Sequence, residues 1–199
     1  LKLLEEIKAK ASARKKTIVL PESHDERVLK AAEILTREGI AKVITIGNEE
    51  KIREDAAKLS VNLQGVRIID PAKSESTSDF ANIFFNLRKH KGVSIEDARE
   101  IVKRDLFFGA MMIKEGIADG FVAGSTASTG DVLKAAFQCV DMPEGISIVS
   151  SFFLMIFPNQ VYSFADCAVV PHPDAAQLAD IAISTADNHK KLTGEEPYV

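Results

Sequence analysis

The 199-residue sequence has no tryptophan, two tyrosines and two cysteines. Cys139 and Cys167 are too few for a disulfide scaffold and lack the spacing of a metal site. Charge of one sign is not in excess. Lys and Arg total 25 against 29 Asp and Glu, a formal net charge of -4. With no large basic patch available, a reader of the nucleic-acid backbone is excluded. Long apolar runs are missing too. Stretches such as Ile148 to Pro158 fall short of the ~20 residues a membrane span needs. The first eight residues, Leu-Lys-Leu-Leu-Glu-Glu-Ile-Lys, are amphipathic and carry no apolar block of a signal peptide. A soluble, cytoplasmic protein without nucleic-acid or membrane partners is the expectation. What is present is the balance of a folded chain, 46% hydrophobic and 27% charged, long enough for one sizeable core or somewhat more.

Strand-like and helix-like segments alternate. Lys16 to Leu20 reads as a buried strand stopped by Pro21. Ser23 and Glu26 have capping-box spacing, and Val28, Leu29, Ala32 and Leu35 follow at helical intervals up to Gly39. Val43 to Ile46 and Val66 to Ile69 are further strands around a helix from Glu49 to Leu59. Strand–helix–strand–helix–strand with short connections implies a parallel α/β sheet. Ala72 to Ser78 reads as a polar surface connection. Helices are expected over Asp79 to His90, from Ser94, over Leu106 to Lys114, over Asp131 to Gln138 and over Ala175 to Leu192. Gly120 to Ala123 is a strand, and Ile146 to Phe157 with Val161 to Ala165 form a hairpin around Pro158-Asn159. A composition break over Asp141 to Gly145 is the best domain boundary, which gives residues 1–145 and 146–199.

Chemistry concentrates between Asp119 and Asp131, where a strand runs through small and hydroxyl-bearing residues into a helix. Such a loop can bring N–H groups, hydroxyls and a helix N-terminus to an anion. It is neither a Walker A loop nor Gly-x-Gly-x-x-Gly, and composition alone favours a tight turn whose glycines relieve sterics. Arg88-Lys89-His90-Lys91 fits a favourable contact with a helix C-terminus, or an oxyanion clamp through arginine's planar fork. Pro21 to Asp25 stands at a strand end, where α/β sheets place ligands, though capping accounts for it. Asp166 suits hydrogen bonding to loop backbone. Cys167 reads as a small buried hydrophobe, and a nucleophilic role would need a base beside it. His172, flanked by prolines, is a poor partner for one.

Five motifs in order span nearly the whole chain. They are Leu20-Pro21-Glu22-x-x-Asp25-x-Arg27-x-Leu29-x-Ala31-Ala32, Ile46-Gly47-Asn48, Leu87-Arg88-Lys89-His90-Lys91-Gly92, Ala118-Asp119-Gly120-x-Val122-x-Gly124 and Phe164-Ala165-Asp166-Cys167-Ala168. Together they resemble the phosphate acetyltransferase family, with the related phosphate butyryltransferases sharing much of the pattern. The resemblance implies a three-layer α/β/α fold like the isocitrate and isopropylmalate dehydrogenases, two domains flanking a cleft, and homodimers. It implies reversible acetyl transfer between coenzyme A and inorganic phosphate, with acetyl-CoA, phosphate and acetyl phosphate as small-molecule partners. Coenzyme A is a co-substrate, and neither a covalently bound cofactor nor a metal is expected. The alternatives are a butyryltransferase-like short-chain acyltransferase or a truncated, non-catalytic fragment.

Carried over by motif, Arg88 matches the family's cleft arginine. Gly124 and Ser125 belong to its phosphate-side loop, and Ser128 and Thr129 match its Ser-Thr pair. Two positions depart from the pattern. Ala127 stands where the family usually has His, and Lys134-Ala135 where it usually has Arg-Pro. Lys134 keeps the charge but loses the bidentate fork. The family's sequences continue well past the position of Val199, through the rest of the second domain, a returning segment of the first, and an Asp-x-x-x-Arg-Gly-like region that supplies the base. No catalytic base is therefore assigned among these residues, and the 199 residues alone are expected not to turn over.

Overall fold

A computed structural model describes residues 2–142 and 148–199. It forms two compact units, Lys8–Asp141 and Leu1–Ile7 with Met142–Val199. The boundary expected at 145/146 and the start of the strand expected from Ile146 lie outside the described residues.

The larger unit is built on β1 (Thr17–Leu20), β2 (Lys42–Ile46), β3 (Arg67–Ile69) and β4 (Gly120–Phe121). They form one sheet in the order β3-β2-β1-β4, every pair parallel. Successive side chains of a strand point to opposite faces, so the sheet feeds two cores. Val19, Ile44 and Ile46 pack on one side, Leu20 and Val43 on the other. After an N-terminal helix α1 (Lys2–Arg14), helices α2 (Glu26–Arg37) and α3 (Glu49–Lys58) cover the second side through Leu29, Ala32, Ile52 and Ala56. The first side is covered by α4 (Ser76–Arg88), α5 (Ile95–Val102), α6 (Asp105–Lys114) and α7 (Thr129–Cys139). The result is the expected three-layer α/β/α arrangement. Apolar residues on both faces explain why β1 and β2 read as continuous hydrophobic runs.

Helix α6 is the central piece of the first core. Phe107 to Met112 are all buried, as expected of a helix apolar all round. Each fully buried side chain such as Phe108 or Met111 is worth about 1.5–3 kcal/mol of hydrophobic stabilisation. Gly109 lets α6 lie close to the sheet. A Cβ there would stand 2.7 Å from Phe121 Cε2 and 3.2 Å from Ile46 Cδ1. The two-residue β4 is pinned at its start by Asp119, which accepts from Lys16 Nζ at 2.6 Å and Thr17 N–H at 2.8 Å.

Two local expectations are corrected. Helix α2 is capped by Asp25, which accepts from Arg27 N–H, and not by Ser23. The Ser23 hydroxyl instead donates to Ile46 O at 2.6 Å, tying the end of β1 to β2. Helix α4 begins at Ser76, inside the stretch read as a connection, and Thr77 Oγ1 donates back to Pro71 O at 2.6 Å. At Ser94 the expected start is present as a full capping box with Asp97.

The smaller unit pairs β5 (Phe152–Ile156) with β6 (Val161–Ala165) as the expected antiparallel hairpin. The 19-residue α8 (Ala175–Thr193) follows, opened by an Asp174–Gln177 capping box and closed by Gly194 at φ +82°. Phe153, Met155, Tyr162 and Phe164 stand exposed on one face of the hairpin, with Phe153 opposite Phe164 and Met155 opposite Tyr162.

Candidate functional site

Ile18 lies opposite Gly120 and Val19 opposite Phe121 in the β1–β4 ladder. That register sets the chain leaving β1, Pro21 to Asp25, beside the chain leaving β4, Val122 to Ser128. In open parallel sheets this carboxyl edge is where ligands sit.

Glu22 organises the edge. Its Oε2 accepts from Gly124 N–H at 2.6 Å and Ser125 N–H at 2.8 Å. Its Oε1 accepts from Thr126 N–H and Ala127 N–H, both at 2.7 Å, and from the Thr126 hydroxyl at 2.8 Å. Gly124, at φ +100°, supplies the left-handed turn that aims successive N–H groups at one anion. Glu22 is only 3% exposed. Burial raises its pKa, but the N–H groups of Ala127, Thr126 and Ser125 and the Thr126 hydroxyl outweigh it, holding the carboxyl at about 2. The anion-ready loop of the sequence is thus real, and its anion is the chain's own.

A second set of bonds braces the loop. Ser125 Oγ donates to Asp25 at 2.5 Å, and Arg27 spans Asp25 and Ser125 O. Bonding to the Arg27 side chain, then to Ser125 and the Arg27 N–H, holds Asp25 well below the usual carboxylate range. His24 Nε2 lies 2.9 Å from Thr126 Oγ1. Because the hydroxyl hydrogen goes to the Glu22 carboxylate, Nε2 carries the hydrogen in this contact.

Beside the loop opens a cavity of about 330 Å³. Lys134, Arg104 and His24 bring positive or protonatable groups to it, and Asp105 and Asp131 bring carboxyls. Burial, and the nearby Asp70 charge, push Asp105 up to about 6, while His24 pulls it down. The mix suits a small, polar, charged ligand.

The residues singled out by motif are spread around this edge. Lys134 lines the cavity. Gly124 and Ser125 spend their N–H groups on Glu22. Ser128 caps α7, accepting from Asp131 N–H at 3.1 Å and donating to Asp131 Oδ2 at 2.6 Å. Thr129 is the first residue of that helix. Arg88 turns to the other end of α7. Its Nε donates to Gln138 O at 3.0 Å and its Nη2 to Phe137 O. It therefore meets a helix C-terminus, though not that of its own helix, and is not among the residues lining the cavity.

Asp105 escaped the sequence reading, whereas Glu22 and His24 entered it only as part of the strand-end segment Pro21 to Asp25, set down to capping, and Thr126 only as part of the Asp119 to Asp131 loop. The signal for Glu22 was available: a carboxylate just past one strand end and a glycine–hydroxyl loop just past its parallel neighbour. Asp105 gave none, because its shift comes from burial against elements remote in sequence.

In the smaller unit Asp166 does the backbone work expected of it. Oδ1 accepts from Ser151 N–H and Oγ, and Oδ2 from the N–H groups of Ala168, Val169 and Val170. Burial opposes its charge, yet these donors, led by Val170, hold its carboxyl far below the ordinary range. Cys167 is half-buried, with its Sγ 3.1 Å from Ser151 Oγ. Among the described residues no cluster of His, Cys, Asp and Glu suits a metal ion, and no helix is long and apolar enough to cross a membrane.

A family model described as "Phosphate acetyl/butaryl transferase" matches residues 2–199. The chain belongs to this family. A phosphate acetyltransferase of Thermoanaerobacterium thermosaccharolyticum is 46% identical over all of this chain and 62% of its own length. One of Acetivibrio thermocellus is 46% identical over all of this chain and 61% of its own. Among solved structures, the EutD phosphotransacetylase of Staphylococcus aureus superposes with a TM-score of 0.90 at 37% identity, covering 98% of this chain and 59% of that one. A phosphotransacetylase of Streptococcus pyogenes gives 0.91 at 36% identity, covering 96% and 58%. The chain spans about three-fifths of the length of the relatives it matches.

Proposed function

We propose that the chain serves reversible transfer of an acetyl group between coenzyme A and inorganic phosphate. The observation that carries this is 46% identity over its whole length to proteins named phosphate acetyltransferase. That naming favours acetyl over butyryl as the group transferred. In the reaction the coenzyme A sulfur bonds to the carbonyl carbon of acetyl phosphate, the carbon–oxygen bond to phosphate breaks, and the thiol proton passes to a base. Charge grows on the leaving phosphate, and groups that meet that charge accelerate the step. Lys134 and Arg104, at the cavity beside the loop, are the side chains we assign to the phosphate, with Ser128 and Thr129 fixing the helix that carries Lys134. The base is assigned to the part of the relatives' length that these 199 residues do not span. A cytoplasmic location and a homodimer are part of the same reading, the dimer supported by the exposed apolar hairpin face of the smaller unit.

The test is equilibrium binding to the chain. Inorganic phosphate and acetyl phosphate should bind saturably and compete, and Lys134→Ala should weaken both by roughly tenfold or more. Absence of binding by either ligand, or binding untouched by Lys134→Ala, refutes the assignment. Thioester formation by the verified 199-residue chain alone would refute the placement of the base outside it.

A further inference from the structure

The Gly124–Ala127 loop and the Glu22 carboxylate form one closed unit. Four backbone N–H groups and one hydroxyl converge on two oxygens. We propose that Glu22 is a positioning residue, the resident anion of this loop, so that a phosphate group entering the adjacent cavity does not meet the loop's N–H groups. The proposal rests on the reading of that cavity as a phosphate site.

Three observations support it. A phosphate bound in the manner of a glycine-rich loop would need the N–H groups that Glu22 already holds. Displacing Glu22 would leave a carboxylate at 3% exposure without the donors that make its burial tolerable. The Thr126 hydroxyl has one hydrogen, and that hydrogen goes to Glu22 Oε1. Thr126 can then only accept from His24 Nε2. Glu22 thereby also orients His24, one of the groups lining the cavity. The cationic side chains of the lining are Lys134 and Arg104, and the start of α6, Arg104 to Phe107, adds a helix N-terminus without a side-chain cap. The loop's work is to hold its own shape and that of its neighbours.

Amide hydrogen exchange of the full 199-residue chain, with inorganic phosphate and formate as probes, tests this. In the wild type the amides of Gly124, Ser125, Thr126 and Ala127 should be protected equally with and without saturating phosphate. In Glu22→Ala they should exchange at least about tenfold faster. Added formate, a carboxylate small enough to replace the lost group, should restore protection saturably. A residue that merely fills space would show no such rescue. Glu22→Gln guards against loss of fold in the alanine variant. Its single carbonyl oxygen can serve only one pair of amides, while its NH2 faces the other pair, so protection should fall on two of the four. Phosphate that saturably changes exchange of these amides in the wild type would overturn the proposal, since the loop would then be phosphate's own. Full protection in Glu22→Ala without any anion would overturn it as well. If formate rescues but phosphate binds nowhere in the wild type, the resident anion stands and the phosphate reading of the cavity falls.

Discussion

Arg88→Ala separates two roles that sequence left open for this arginine. Its Nε donates to Gln138 O at 3.0 Å, and its Nη2 donates to Phe137 O. Both carbonyls lie in the last turn of α7, where intrahelical partners run out. Hydrogen bonds from a charged donor contribute about 1.5–3 kcal/mol each when buried, and this side chain is only half-buried. A cation at a helix C-terminus adds about 0.3–1 kcal/mol. Truncation releases ~2 kcal/mol of side-chain entropy. The net loss comes to about 2 kcal/mol for the unit Lys8–Asp141. At roughly 2.1 cal/mol/K of unfolding entropy per residue, that lowers its melting temperature by about 7 °C. Arg88→Lys should lose about half as much, keeping the charge but not the fork. Circular dichroism melting, with phosphate titration of the same preparations, reads both quantities. An Arg88→Ala protein that melts within ~1 °C of wild type while losing phosphate affinity tenfold would refute the capping account. The arginine would then act on the ligand.

Three other changes have definite expectations. Gly109→Ala gains about 1 kcal/mol of helix propensity but drives a methyl against the Phe121 ring. Overpacking of about 1–3 kcal/mol should win, and urea unfolding should show net destabilisation. The folded-state pKa of Asp105 stands at about 6, above its ordinary 3.8. Its contribution is therefore fully present below the unfolded value and lost as pH rises through 6. Asp105→Asn should stabilise the protein near neutral pH relative to wild type, on the order of 1 kcal/mol once solvent screening of a partly exposed group is allowed for. An unchanged difference across that pH range would contradict this. Asp166→Asn keeps one oxygen but turns an NH2 toward N–H groups the carboxylate now accepts from. Amides of Ala168 to Val170 should exchange at least about tenfold faster, with little change in the larger unit.

The sheet was legible because its signal is local. The apolar runs at Ile18 to Leu20 and Val43 to Ile46 bury both faces, and the separating helices show their period plainly. Helix starts were legible where the cap is local, as at Ser94. They failed where a side chain had a distant use. Ser23 fits a cap by spacing, but Ile46 O takes its hydrogen. Ser76 to Ser78 look like a loop by composition, yet the helix begins there, with the Thr77 hydroxyl donating to Pro71 O six residues back. The site was legible as a loop but not as a circuit. Composition favoured a tight turn between Asp119 and Asp131, the family resemblance pointed to a phosphate-side loop there, and the occupant comes from the end of another strand. Arg88 was legible as a cation at a helix end, while the identity of the helix depended on packing.

The bonds from Glu22 to its loop bridge 102 to 105 positions of sequence, and that span governs when the cradle comes into being. Closing a loop of this length costs roughly 4 kcal/mol of chain entropy beyond the constant term. Pairing of β1 with β2 is short-range by comparison and gains contacts early. The β1–β4 closure spans everything from α2 to α6 and so is costlier to make, as non-local pairings are. The cavity edge is thus a late arrival in folding and an early departure in partial unfolding. Fraying of the two-residue β4, held at its start by Asp119, dissolves the cradle while β1, β2 and β3 stay paired. On the proposed reading of the cavity, ligand affinity is tied to the integrity of this single sheet edge, and small losses of stability there should register as losses of binding before global unfolding.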